Sequence, residues 1–358
     1  MLTALILLTL FLAFTNGAND VSKGIATLVG SGVTNYRRAV LWGSVCTVLG
    51  ALTAGLASQA LLATFSGKGL LRNPSSAPAF LLPVALGAIG WLVIATRTGL
   101  PVSTTHSLTG ALVGTALVSA GSGGLLWNAV VMKVGLPLLV SPVLSMILLL
   151  AVLPLLRPVV ARFDRYCVCI EQRDVVTPEG VSFLQSMPTM EVAQAQACTT
   201  SVARVNAIDT LHWISSGATS FFRGLNDTPK ILALGIAASA AIGIATAPAY
   251  ALVALAMGAG SLIAGFRVTR TLAEKVTKIT PANGFAANLV TSMLVGLASK
   301  FALPVSTTHV SSGAIIGVGV SNGGRDVRWK TVGEMLLAWM VTLPVSALIA
   351  AGAYMLIR

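Results

Sequence analysis

The chain has 358 residues, of which 55% are hydrophobic and only 9% charged, and its formal net charge is +12. Soluble domains carry about 25% charged residues, so this composition excludes a soluble globular protein and implies an integral membrane protein. The surplus positive charge invites a nucleic-acid reading, but it falls mostly in loops between apolar runs, where it orients membrane segments.

The abundance of Gly (35) and Pro (15) suits tightly packed and interrupted membrane helices. Cys46, Cys167, Cys169 and Cys198 have no zinc-type spacing with histidine, and no cofactor is expected. The runs Ala39 to Ala63, Phe80 to Thr96, Ala129 to Leu156 and Ala233 to Ala264 reach or approach the ~20 apolar residues that cross a bilayer.

Met1 to Phe14 lacks a basic leader and runs into Asn19-Asp20 rather than a small-residue cleavage site, which makes it a retained first helix. Asn16 to Lys23 then interrupts the apolar pattern. Gly17 and Asn19 tolerate non-helical backbone, so a helix break is expected there. Asp20 and Lys23 are ionisable at membrane depth, which is costly and usually functional; the alternative is a loop between two short hydrophobic hairpins.

Ser31 to Arg38 reads as a short basic turn, Thr64 to Pro78 as a polar loop and Ala79 to Thr96 as a span. Next comes Pro101-Val102-Ser103-Thr104-Thr105-His106, which has the chemistry of a helix start: proline stops what precedes it, and hydroxyls cap free N–H groups. A small-residue helix follows from Ser107 to Val118, then a long span from Trp127 to Leu156, bent near Pro137 and Pro142. Arg157 to Val205 is the one hydrophilic insertion, expected to be partly helical at Met190 to Val205.

The second half replays the first. Asp227 follows Asp20 and Lys230 follows Lys23 by the same 207 residues. Pro304-Val305-Ser306-Thr307-Thr308-His309 repeats the earlier stretch letter for letter, 203 residues on. Trp329 follows Trp127, and Pro344 follows Pro142, by 202. The organisation is thus a transmembrane repeat at 1–156, a connector at 157–208 and a second repeat at 209–358.

Loop charge gives their relative orientation. Arg37 and Arg38 follow the first repeat's opening helix, whereas Ile244 to Tyr250 carries no basic residue; Phe266 to Thr280 carries Arg267, Arg270, Lys275 and Lys278 against Lys68 and Arg72 in Thr64 to Pro78. Opposite bias in equivalent loops implies inverted repeats, a cytoplasmic connector and outward termini. The fold class is an all-α polytopic membrane protein with two inverted-topology repeats and broken or re-entrant helices. Such folds are secondary transporters with a midplane site.

Two Asn-Asp pairs, Asn19-Asp20 and Asn226-Asp227, supply hard oxygens suited to Na⁺ or to relaying H⁺, with Asp20 and Asp227 as the carboxylates that would face Na⁺. Ser103, Thr104, Thr105, Ser306, Thr307 and Thr308, at two helix N-termini, supply donors suited to a tetrahedral oxyanion. A nearby cation lowers the cost of burying the anion, which couples the two.

These paired stretches, Gly17-Ala18-Asn19-Asp20-Val21 and Gly224-Leu225-Asn226-Asp227 with the duplicated Pro-Val-Ser-Thr-Thr-His, resemble the PiT family of inorganic phosphate transporters along essentially the whole chain. The resemblance implies symport of inorganic phosphate with Na⁺ or H⁺, a homodimer, phosphate at Ser103 to Thr105 and Ser306 to Thr308, and cations near Asn19, Asp20, Asn226 and Asp227; the expected lack of a cleaved signal and of long soluble domains points to the cell's inner (plasma) membrane. Some similar proteins carry sulfate.

Lys23 departs from the familiar pattern, which has a neutral residue there. Three readings are open for Lys23 and Lys230: ion pairs with Asp20 and Asp227, contacts to phosphate, or stand-ins for a bound cation that reduce Na⁺ dependence. His106 and His309 fit a structural hydrogen bond at the helix start, with proton relay as the second reading. Asn283 and Asn288 read as interhelical glue, Arg97 and Lys300 as snorkelling residues, and Asp209 and His212 as a cap or interfacial pair. An intramembrane enzyme using both aspartates would be asymmetric. An anion channel would not need matched buried carboxylates. Within the transporter reading, sulfate is the alternative substrate.

Overall fold

The computed structural model describes residues 1–57, 59–163, 166–174, 186–194 and 203–357. Among them, seven helices are long and apolar enough to cross a membrane. The first repeat contains α1 (Leu2–Asp20), α2 (Ser22–Gly30), α3 (Tyr36–Ala57), α4 (Gln59–Phe65), α5 (Pro78–Thr98), α6 (Thr104–Ala120), α7 (Trp127–Ala129) and α8 (Leu136–Phe163). A π-helical stretch, Val130–Gly135, joins the last two. The second contains α9 (Ala207–Ala241), α10 (Thr246–Ala264), α11 (Phe266–Glu274), α12 (Pro281–Lys300), α13 (Thr307–Ser321) and α14 (Trp329–Ile357).

The halves interlock. The opening helix of each packs on the second long helix of the other, α1 on α10 and α9 on α3. Glycines permit these crossings: a Cβ at Gly17 would lie 2.0 Å from the Met257 carbonyl oxygen, and one at Gly224 would lie 2.2 Å from that of Thr47. Without a hydrophobic drive between helices in lipid, such close backbone approach is a main source of association. The closing helices cross over likewise, α6 on α14 and α13 on α8.

The helix break expected at each Asn-Asp pair is smaller than the sequence implies. In the first repeat it shrinks to Val21, which itself keeps helical dihedrals (φ −55, ψ −31). In the second, Asn226-Asp227 lies inside the unbroken 35-residue α9. Lys23 and Lys230 each reach back one turn to bond residues three and four positions earlier, which holds the helical turn together. Hydropathy misses α9 as a span because its polar residues face protein: Arg223, Asn226, Asp227 and Lys230 are all buried. The apolar run Ala233 to Ala264 is not one span either, since α9 ends at Ala241 and a turn with Gly243 at φ 83 leads into α10.

The true interruptions are at the duplicated hexapeptides. After α5, Gly99 turns the chain at φ 78, and residues 100–103 run outside any helix before α6 begins. After α12, Ala302 takes the matching place at φ 54, a left-handed conformation unusual for a residue with a Cβ. Helices α6 and α13 therefore start inside the protein, where Thr104, Thr105, Thr307 and Thr308 are buried.

The connector carries a three-stranded antiparallel sheet in the order β2-β1-β3: β1 (Tyr166–Asp174), β2 (Ser186–Gln194) and β3 (Ala203–Asn206). This corrects the partly helical reading of Met190 to Val205. Pairing with β1 overrides the helical propensity of the Glu-Val-Ala-Gln stretch, and Pro188 is tolerated because β2 is an edge strand. Residues 195–202, Cys198 among them, lie outside the described residues.

One end of the molecule is basic. There α2 ends, α9 and α12 begin, and α11 packs along α2. Arg37, Arg38, Arg270, Lys275, Lys278, Arg325, Arg328 and Lys330 gather at this end, while Lys68, Arg72 and Lys133 mark the other. The Tyr36 hydroxyl donates to Glu274 Oε1 at 2.5 Å and Arg270 Nε to Oε2 at 3.1 Å. Those two bonds hold the Glu274 carboxyl below its usual range. A cavity of about 670 Å³ opens here, lined by Val29, Lys278, Arg325 and Arg328 among others.

Candidate functional site: a buried charge cluster between two helix starts

Each hexapeptide makes the same helix start. Ser103 Oγ accepts from the His106 backbone N–H at 3.3 Å, and Ser306 Oγ accepts from that of His309 at 3.1 Å. These are ordinary N-caps. The two starts then strap each other: the Thr308 hydroxyl donates to the Val102 carbonyl at 2.7 Å, and the Thr105 hydroxyl to the Val305 carbonyl at 3.4 Å. Thr105 and Val102 are the repeat equivalents of Thr308 and Val305, so one contact occurs twice about the internal two-fold relation.

All six hydroxyl residues named from the sequence are buried, but they divide by task. Thr105 and Thr308 have their hydroxyl hydrogens engaged in the straps. Thr104 Oγ1 accepts from Asn16 Nδ2 at 2.9 Å and donates to Asp20 Oδ2 over a long 3.5 Å.

Both Asn-Asp pairs reach this place. Asn19 Nδ2 donates to Thr96 Oγ1 (3.2 Å) and the Leu100 carbonyl (3.1 Å), and its Oδ1 accepts from the Val102 N–H at 3.3 Å. Asn226 Nδ2 donates to Ser299 Oγ at 3.0 Å, and Ser299 is the equivalent of Thr96. The asparagines therefore fasten each opening helix to the end of the segment before each helix start. Asn16 Nδ2 lies within hydrogen-bonding distance of Asp20 Oδ2 (3.1 Å), Asp227 Oδ2 (3.2 Å) and Thr104 Oγ1, and so links the two halves at their carboxylates.

Lys23 Nζ lies 2.5 Å from Asp20 Oδ1 and donates to Asn19 Oδ1 (2.7 Å) and the Asn19 carbonyl (3.0 Å). Lys230 Nζ pairs with Asp227 Oδ1 at 3.2 Å and donates to Asn226 Oδ1, Thr105 Oγ1 (2.9 Å) and the Val305 carbonyl (3.1 Å). Lys230 thus touches both helix starts, whereas Lys23 stays with its own helix.

Arg223 is the residue that sequence reasoning missed. It is fully buried. Its Nη2 donates to Thr47 Oγ1 at 2.6 Å and its Nη1 to Asn16 Oδ1 at 3.3 Å, while its Nε has no partner among the described residues. The signal was present: Arg223 stands 207 residues after Asn16, a cation in the second repeat where the first has an amide. Isolated charges at membrane depth are functional by default.

The rings of His106 and His309 meet across the two-fold relation, tilted by 40° with centroids 4.5 Å apart. His309 Nδ1 lies 2.9 Å from the Leu138 carbonyl and ties α13 to α8, whereas His106 Nδ1 has no partner among the described residues. Trp339 packs on His309 at 4.1 Å and donates to the Pro101 carbonyl at 2.9 Å. Asn288 is interhelical glue, bonding the Gly24 carbonyl and Thr27 Oγ1. His212 meets the same Thr27 at 2.9 Å and is a tertiary contact rather than a cap.

The phosphate transporter family model matches residues 16–350. Over 360 aligned residues the chain is 29% identical to a protein of Rhizobium meliloti (strain 1021) named probable low-affinity inorganic phosphate transporter, covering 99% of this chain and 96% of that one. It is 30% identical over 419 residues to the Arabidopsis thaliana protein named inorganic phosphate transporter 2-1, chloroplastic, covering 97% of this chain and 70% of that one. A solved structure named the sodium-dependent phosphate transporter superposes with a TM-score of 0.79 over 99% of this chain and 98% of that chain. At 24% identity that likeness establishes the fold.

Proposed function

Because the chain belongs to the phosphate transporter family, we propose that it imports inorganic phosphate across the plasma membrane by symport with Na⁺ or H⁺, holding the anion between the two helix starts. It is a transporter and not an enzyme. The observation that supports this reading most is the mutual strapping of the two hexapeptides beside three buried cations, Lys23, Lys230 and Arg223. Two helix N-termini aim partial positive charge at one interior point. Hydroxyls there offer neutral donors, and the cations lower the cost of burying an anion.

Asp20 and Asp227 favour phosphate over sulfate. A protonated phosphate donates a hydrogen bond to a carboxylate, whereas sulfate at neutral pH has no hydrogen to give. The basic end, with Arg37, Arg38 and the α11 cluster, faces the cytoplasm on the positive-inside rule. The connector enters and leaves at that same end.

The test is radiolabelled phosphate uptake into proteoliposomes under an imposed Na⁺ gradient or an imposed H⁺ gradient, with excess unlabelled sulfate. The expected result is saturable, uphill, sulfate-resistant uptake. Sulfate flux without phosphate uptake would assign the alternative substrate, and non-saturating downhill flux would mean a channel.

A further inference from the structure

We propose that Lys23 and Lys230 are tethered counter-cations: their ammonium groups occupy the two positions where a coupling cation would bind, so phosphate binding needs no Na⁺. The inference rests on the phosphate reading above and concerns which cation that site requires.

The oxygens around each ammonium are those a hard monovalent cation selects. Lys23 Nζ is held by a carboxylate, an amide oxygen and a backbone carbonyl, Asp20 Oδ1, Asn19 Oδ1 and Asn19 O, at 2.5–3.0 Å. Lys230 Nζ is held by a carboxylate, an amide oxygen, a hydroxyl and a backbone carbonyl, from Asp227, Asn226, Thr105 and Val305. Carboxylate, carbonyl and hydroxyl oxygens are the ligand class of hard ions. An ammonium has three hydrogens to donate, and each lysine meets at least three acceptors. Its hydrogens are fully used, and an ion bound to the same oxygens would have to displace it.

Both lysines are fully buried, and both come from the same slot of the duplicated sequence. The arrangement is therefore built into each repeat. At Lys230 it extends to the helix start itself, through Thr105 and Val305 of the strap.

Charge counting agrees. Lys23, Lys230 and Arg223 carry three formal positive charges against two from Asp20 and Asp227, leaving one. A phosphate monoanion brings the cluster to neutrality. Two further Na⁺ ions would leave it with two surplus positive charges even after phosphate binds, in surroundings where unpaired charge is costly. The cluster is thus matched to the monoanion without added metal ions.

The test uses the full-length protein in proteoliposomes preloaded with unlabelled phosphate, with exchange against external radiolabelled phosphate measured in Na⁺ and in choline. Exchange needs no driving gradient and so isolates the ion requirement. A parallel readout is the phosphate-dependent rise in unfolding temperature of the detergent-solubilised protein in the same two salts. The wild type is expected to exchange at rates within about twofold of each other, with equal thermal shifts. Lys23→Gln and Lys230→Gln are each expected to lose exchange in choline by at least about tenfold and to regain part of it in Na⁺.

A wild type that exchanges phosphate only in Na⁺ overturns the inference and leaves phosphate transport standing. So do variants that exchange as well as wild type in choline. Because the wild-type comparison needs no substitution, a variant that fails to fold does not block the test. Exchange in neither salt overturns the phosphate reading itself, and this inference with it.

Discussion

Asp20 and Asp227, 207 residues apart in the chain, lie 3.1 and 3.2 Å from the same amide nitrogen of Asn16. Each also pairs with its own lysine three residues on. The two carboxylates therefore share one cluster, and neutralising either one strands a buried ammonium. Breaking a buried pair by removing one partner costs about 3–5 kcal/mol. Asp20→Asn and Asp227→Asn are each expected to lower the unfolding temperature as well as abolish coupled uptake. Removing both charges, as in Asp20→Asn with Lys23→Gln, is expected to recover most of the stability and none of the uptake. Melting curves beside proteoliposome uptake separate the two effects; normal uptake by the folded double variant would show that the carboxylate has no transport role.

The hydroxyls at the helix starts divide into two classes that substitution distinguishes. Thr104→Val and Thr307→Val each remove a donor from the proposed anion site, and each is expected to weaken phosphate binding by roughly 1 kcal/mol, or about fivefold. Thr308→Val instead removes the strap to the Val102 carbonyl and is expected to lower stability first. Binding titrations and melting curves on the three variants test the division. Unchanged affinity in both Thr104→Val and Thr307→Val would move the anion elsewhere.

Arg223 supplies the one positive charge that no aspartate offsets. Arg223→Met is expected to abolish phosphate-dependent thermal stabilisation, while Arg223→Lys keeps the charge but loses the two-armed contact to Asn16 and Thr47 and retains only part of it. Full phosphate response in a folded Arg223→Met protein would show that the guanidinium is structural.

The helix crossings make a separate claim about stability. Gly17→Ala and Gly224→Ala would each place a methyl about 2 Å from a carbonyl oxygen of the facing helix, and overpacking of this kind costs about 1–3 kcal/mol. Both are expected to melt earlier than wild type. Gly333→Ala, in α14 with open space around it, is the control expected to be neutral or slightly stabilising. Ala302→Gly relieves the left-handed backbone that Gly99 relieves in the other repeat and is expected to raise stability by roughly 1 kcal/mol.

The duplication was the legible part of the sequence. Letter-for-letter identity at the hexapeptides locates both helix starts, and constant offsets pair the opening helices with each other. Asn226-Asp227 was read as a break because it repeats the stretch around Asn19-Asp20, where Gly17 and Asn19 tolerate non-helical backbone. In the folded chain Lys230, one turn on, closes the helix around both residues, and Ser299 and Asn16, far away in sequence, complete their bonding. Arg223 was overlooked because a motif comparison weighs what the repeats share, whereas Arg223 is where they differ. The strands of the connector were hidden because β2 owes its conformation to pairing with β1 rather than to its own residues.

The account turns on where the anion sits, and a cryo-electron-microscopy structure of the protein with inorganic phosphate bound measures that directly. The expected result is phosphate density between the starts of α6 and α13, within hydrogen-bonding reach of Thr104 and Thr307 and on the side of Arg223. Density confined to the basic cavity lined by Arg325 and Arg328, with none between the helix starts, would contradict it.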